Sequence, residues 1–160
     1  MIGNGEIEIF FLCLLHYNDT CKVNQQFTGG ERKVVKLNIQ TAELALREAS
    51  ESNPGAWADH SRFVAEACKN IASHCKDLSS EQAYIFGLLH DIGRYAGVSS
   101  ERHLIDGYRY CMERGWEKAA QICISHAFMI QDIATSIGVF DVSDEDYLFM
   151  KEFVANAVYD

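Results

Sequence analysis

Proline is almost missing from this chain, with one among 160 residues, and glycine is modest at 11. That shortage of turn residues argues against a loop-rich all-β design and against low-complexity disorder. None of the six cysteines (Cys13, Cys21, Cys68, Cys75, Cys111 and Cys123) belongs to a C-x-x-C pair. They read as buried, reduced thiols of a cytoplasmic protein. Positive charge is also scarce, with 14 Lys and Arg against 23 Asp and Glu and a formal charge of −9. The balance excludes a basic stripe for duplex nucleic acid and a basic membrane face. The strongest apolar run, residues 7–15 (IEIFFLCLL), is too short to span a bilayer and lacks the flanks of a signal peptide. There is no P-loop, no dinucleotide fingerprint and no Ser or Cys nucleophile elbow.

The sequence does contain material for one core. It is 48% apolar, 23% charged and 11% aromatic, an ordinary composition for a single globular domain. An acidic protein that handles phosphorylated molecules needs a local source of positive charge, and a metal centre is one such source. Residues 1–36 read as an N-terminal extension, whose two apolar pieces either pair as a β-hairpin or attach loosely. Residues 37–160 read as an all-α bundle of about five to six helices.

Within that bundle, residues 39–50 have helical apolar spacing, and Asn53 followed by Pro54 predicts the start of a second helix. On the second helix Trp57, His60, Val64, Ala67, Ile71 and Cys75 share one face, which places His60 inward. Ser79 and Gln82 form a capping-box pattern ahead of residues 83–89, which are apolar nearly all round, as in a central helix. That helix runs into His90-Asp91-Ile92-Gly93, with Gly93 as its predicted stop. Two further helices follow, over residues 101–114 and 116–128, the latter carrying His126 near its end. Ser143 caps a last helix with Asp144, Glu145 and Asp146 in its first turn.

Adjacent residues on a helix point about 100° apart, so His90 and Asp91 can share a ligand only where the backbone turns. An imidazole and a carboxylate together suit Mn, Fe or Zn, and Mg where oxygen dominates. An inward His60 beside His90-Asp91 at the end of an apolar helix is a far stronger signal than the dipeptide alone. A hydrogen-bonded polar cluster without metal is the competing reading.

These residues resemble the HD superfamily of metal-dependent phosphohydrolases. The resemblance rests on H-S-R-x-V-A from His60 to Ala65 and G-L-L-H-D-I-G-R from Gly87 to Arg94, and spans about residues 54–128. It implies an HD-domain-like helical fold and metal ligation by His60, His90 and Asp91. Members that hold two metals add two downstream histidines, and His103 and His126 match in order and spacing. Asp91 would then bridge one or two ions, and Arg94, where many relatives carry Lys, would face substrate phosphate. By this resemblance Asp91 and Arg94 are the catalytic residues. The implied reaction is cleavage of a phosphoester or phosphoanhydride, in a nucleotide or dinucleotide, by metal-activated water. The spacing is similar to that of the subfamily acting on dinucleoside polyphosphates.

One family element is not matched. The closing aspartate normally follows the last histidine, and the late candidates here are Asp141, Asp144, Asp146 and Asp160. The first three read as loop and helix-start residues, so the closing aspartate is expected beyond the terminus of a truncated sequence. That gap keeps two other readings open: a non-catalytic nucleotide-sensing or regulatory module with an HD fold, and an inert helical scaffold. For His103 an exposed helix-start position competes with ligation, and for His126 a helix C-terminal cation does. Arg94 is equally readable as a solvated surface charge. The oligomeric state is not encoded in these patterns.

Overall fold

Helix formation begins where the polar lead-in gives way to apolar spacing, at Asn38. In the computed structural model, which describes residues 35–157, the Asn38 side chain accepts from the Thr41 amide at 2.9 Å. The Thr41 hydroxyl accepts from the Asn38 amide in return, also at 2.9 Å. This reciprocal cap opens α1 (Ile39–Ser52), whose Ala42, Ala45, Leu46 and Ala49 are buried.

The next helix does not start at Asn53-Pro54. Asn53 instead terminates α1, and its side-chain amide donates to the Arg94 carbonyl at 2.7 Å. Its own carbonyl accepts the indole N–H of Trp57 at 2.9 Å. A side chain committed to a distant backbone cannot cap the helix behind it, and α2 begins at Trp57 (Trp57–Ala72). Its buried stripe runs through Ala58, Ser61, Val64, Ala65, Cys68 and Ala72, rotated from the expected face, while Phe63 and Ile71 are exposed. The cause lies opposite, on α3 (Ser80–Leu89): a Cβ added at Gly87 would lie 2.4 Å from the Ala65 Cα. The two backbones touch, so small residues face inward and bulky ones turn out. His60 is thereby half-buried at the edge of this interface, beside the end of α3.

α3 is the central helix that its apolar sequence predicted. Ala83 and every residue from Ile85 to Leu89 are buried, and the helix packs against α1, α2 and the later α5. Ser79 accepts from the Gln82 amide at 3.2 Å, one half of the expected box. The chain then tightens into a 3₁₀ turn, Ile92–Ala96, and leaves it at Gly97, whose φ of 124° is a glycine conformation. Gly93 is therefore not the stop. It lies inside the turn, where a Cβ would fall 1.9 Å from the His103 carbonyl oxygen. Only a bare backbone can approach α4 (Arg102–Glu113) that closely.

Gly115, with φ at 73°, turns the chain into α5 (Glu117–Ser125). A short 3₁₀ turn, Ile133–Thr135, precedes α6 (Asp144–Asn156), capped as expected by Ser143 accepting from the Asp146 amide at 3.1 Å. The described residues contain six α-helices and no strand, an all-α bundle of HD-like type. Leu46, Leu88, Leu89, Leu104, Ile124 and Met150 are fully buried in its core. No described helix is long and apolar enough to cross a membrane. The expected N-terminal extension, hairpin alternative included, falls almost wholly outside the described residues, as do Cys13 and Cys21.

Candidate metal centre

Four helices deliver five side chains to one place. His60 comes from α2, His90 caps the C-terminus of α3, and Asp91 follows it into the 3₁₀ turn. His103 stands in the first turn of α4, and His126 caps the C-terminus of α5. At His90 the backbone is still helical, whereas at Asp91 (φ −102°, ψ 13°) it has left the helix. This break lets two sequence neighbours converge, with His90 Nε2 3.8 Å from Asp91 Oδ2. Gly93 and Gly107 then press the turn onto α4, which brings His103 Nε2 to 3.2 Å from Asp91 Oδ1. His126 Nε2 lies 3.6 Å from the same oxygen. His60 Nε2 faces His90 Nε2 at 3.3 Å. The C-terminal ends of α3 and α5 bring two negative dipole ends to the cluster and the N-terminus of α4 brings a positive one, which partly offsets them.

The outer nitrogens fix what the inner ones present. His90 Nδ1 donates to the Gly87 carbonyl at 2.8 Å, and His126 Nδ1 donates to that of Cys123 at 3.0 Å. His103 Nδ1 donates to the Ser100 carbonyl. A carbonyl oxygen can only accept, so in the neutral form of each ring the proton sits on Nδ1 and the Nε2 lone pair points inward. Asp91 Oδ1 is buried and accepts no hydrogen bond. Arg94 reaches Asp91 Oδ2 and lies 3.5 Å from His103 Nε2, and His60 Nε2 pairs with His90 Nε2, but Asp91 Oδ1 is left to acceptors, an arrangement that favours a cation beside it.

A proton is a poor candidate at His90, because burial pushes its imidazole down to about 3 against the pull of Asp91. Burial works against ionisation of Asp91, but attraction to positive charge at His90 and to N–H donors at His103 and His126 holds its carboxyl well below the carboxylate range, so the site rewards positive charge. A divalent ion fits the donor set. His60, His90 and Asp91 form one group whose ligand atoms lie within 4.8 Å of one another, and Asp91, His103 and His126 form a second. Asp91 belongs to both and could bridge two ions. The backbone carbonyls at Nδ1 are the kind of outer partner that orients metal-bound histidines.

Arg94 approaches from the rim. Its Nε donates to Asp91 Oδ2 at 2.9 Å, and its side chain is 31% exposed. It is neither a free surface charge nor turned wholly to solvent: Nε holds Asp91 and Nη2 lies 3.5 Å from His103 Nε2. His103 is buried at 5% exposure, which removes the exposed helix-start alternative. The late aspartates are used elsewhere. Asp141 accepts from the amides of Ser100 and Arg102, Asp144 lies in the first turn of α6, and Asp146 pairs with Arg109. Asp160 lies outside the described residues.

Sequence reasoning missed three supports. Gly107 is one, and its signal was available, since a glycine inside a helix marks close backbone approach. The second is Cys123, whose thiol donates to the Leu89 carbonyl at 3.3 Å and floors the site, with Cys111 Sγ 3.9 Å away. Cys68, Cys111 and Cys123 are buried and reduced, Cys75 only partly buried. The third is Ser100, which acts through its carbonyl and leaves no mark in a sequence.

No curated protein and no solved structure matches this chain. A family model does: that of the HDOD domain matches residues 33–114. The matched stretch runs from ahead of α1 to the end of α4 and includes His60, His90, Asp91 and His103. It is an HD-like domain, in agreement with the helical bundle and with the G-L-L-H-D-I-G-R segment inside the matched stretch. With just over half of its length matched, the chain belongs to the HDOD domain family.

Proposed function

We propose that this protein is a metal-dependent hydrolase of phosphoester or phosphoanhydride bonds in a small nucleotide or dinucleotide. The observation that carries the reading is Asp91 Oδ1, a buried anionic oxygen without a hydrogen bond, flanked by histidines whose lone pairs turn toward it. His60, His90 and Asp91 would hold one divalent ion, and Asp91, His103 and His126 the other. Such an ion supplies Lewis acidity, water activation at neutral pH and positive charge for a phosphoryl group. The chain's own groups supply the rest. Asp91 and His103 hold Arg94 at the rim through Nε and Nη2, and this part-exposed guanidinium can offset charge on phosphoryl oxygens. Cys123 is no rival nucleophile, because burial pushes its thiol well above the ordinary range. Water is then the attacking group. With a net charge of −9, attraction of an anionic substrate has to come from this centre.

A regulatory module that binds a nucleotide without turnover is the second reading. It is favoured by the HDOD match and by the five-ligand set, since the late described aspartates serve other roles. Phosphate release separates the two. Mn²⁺-reconstituted protein is offered nucleotides and dinucleoside polyphosphates, with His90→Ala as the control. Metal-dependent release lost in the variant supports the hydrolase. Nucleotide binding with no product supports the module, and neither activity nor binding would discard both.

A further inference from the structure

α4 carries His103 in its first turn, yet its own N-cap residue, Glu101, makes no capping hydrogen bond. The cap comes from far along the chain. Asp141 accepts the Arg102 amide at 2.8 Å through Oδ1 and the Ser100 amide at 3.0 Å through Oδ2. Around this carboxylate the segment from Ser136 to Asp141 is fastened to the same turn. The Glu101 amide donates to the Val139 carbonyl at 3.1 Å, and the Val139 amide donates to the Ser100 hydroxyl at 2.9 Å. The Ser136 hydroxyl donates to the buried Glu101 carboxylate at 2.6 Å. Gly138 lies so close that an added Cβ would sit 1.7 Å from Glu101 Oε1. Phe140 anchors the strap from behind, stacked 6.5 Å from the fully buried Phe128.

What this strap holds is Ser100, and Ser100 holds His103. The Ser100 carbonyl accepts from His103 Nδ1, which fixes the proton on that nitrogen and aims Nε2 at Asp91 Oδ1. Ser100 itself is pinned at its amide by Asp141 and at its hydroxyl by Val139. We infer that Asp141 is a positioning residue for the metal centre, capping α4 from outside and setting the tautomer and direction of His103 through Ser100. This rests on the metal reading above for its consequence, though not for its geometry. It also gives an aspartate after the last histidine a role next to the centre without making it a ligand. The carboxylate complements the positive end of the α4 dipole while it satisfies the Arg102 amide that the helix leaves open and the Ser100 amide just ahead of the N-cap.

Two measurements test it. In metal-free protein with ¹⁵N-labelled histidine, imidazole ¹⁵N shifts should report a single Nδ1-protonated form at His103. Asp141→Ala should turn that signal into a tautomer mixture while His60 and His90 keep theirs, and Asp141→Asn, with one acceptor oxygen for two amides, should restore it only in part. In calorimetric titration with Mn²⁺, Asp141→Ala should weaken one of two binding events by about tenfold or more and leave the other unchanged. A folded Asp141→Ala with an unaltered His103 signal overturns the inference, as does equal disturbance of all the rings. If Asp141→Ala does not fold, Ser136→Ala loosens the same strap and is read in the same two ways. Absence of Mn²⁺ uptake by the unaltered protein would remove the metal reading alone, and the imidazole spectra would still decide the role of Asp141.

Discussion

His90 shows how much one residue's surroundings determine. Its Nδ1 is spent on the Gly87 carbonyl, its ring is 3% exposed, and Asp91 lies beside it. Burial pushes its pKa down to about 3, so between that value and the ordinary 6.5 the unfolded chain binds a proton that the folded chain refuses. Stability of the metal-free protein should therefore fall as pH drops below about 6.5, and keep falling toward 3. Urea melts in chelator from pH 7.5 to 4 check this, and His90→Gln should flatten the slope. Arg94 is a residue whose loss should separate holding metal from using it. Arg94→Ala is expected to keep metal stoichiometry and lower kcat/KM by about a hundredfold, the scale for losing one donor to developing charge. Loss of the metal itself would instead show that the pairing with Asp91 is what matters. Both residues were legible in the sequence, because G-L-L-H-D-I-G-R places them in a specific pattern. The directions of their nitrogens were not, since those depend on backbone carbonyls that a sequence does not display.

Elements position these residues through contacts between bare backbones. At the α2–α3 crossing Gly87 meets Ala65, and at the 3₁₀ turn Gly93 meets His103 and Gly107. Gly87→Ala inserts a methyl where 2.4 Å separates it from the Ala65 Cα, and should cost about 1–3 kcal/mol by overpacking. A shift of the urea midpoint measures it, and a neutral outcome would mean that the crossing is looser than drawn here. The helices themselves were legible: α3 from its unbroken apolar character, α6 from Ser143 and the acids behind it. The start and facing of α2 were not. Asn53 looks like a cap in isolation, but the Arg94 carbonyl, 41 residues away, takes its side chain. The face of α2 was misjudged for a related reason, because Gly87 draws small residues inward and displaces Ile71. Local pattern predicts what a helix can bury, and the partner decides what it does bury.

Across the whole molecule, an acidic chain houses a cation-seeking centre. A chain with 23 acidic and 14 basic residues surrounds a buried carboxylate and four imidazoles whose Nε2 or Nδ1 atoms lie close enough to share a metal. Bound metal should therefore link strongly to folding. At a free-ion concentration near 100 times Kd the folded state gains about 2.7 kcal/mol per ion. That corresponds to a rise of roughly 5–10 °C in Tm, readable by calorimetry with and without chelator. Such a rise should vanish in Asp91→Ala, which removes the ligand common to both groups. The fold class was readable at this scale from composition and helical period, whereas the strap from Ser136 to Asp141 was not, since it exists only in tertiary contacts. The most direct test of the central claim is elemental analysis of the unchelated, purified protein alongside Asp91→Ala. One or two equivalents of Mn, Fe or Zn per chain are expected, lost in the variant. A wild-type protein that holds no metal even after reconstitution would contradict it, leaving the five side chains a buried polar cluster in a binding module.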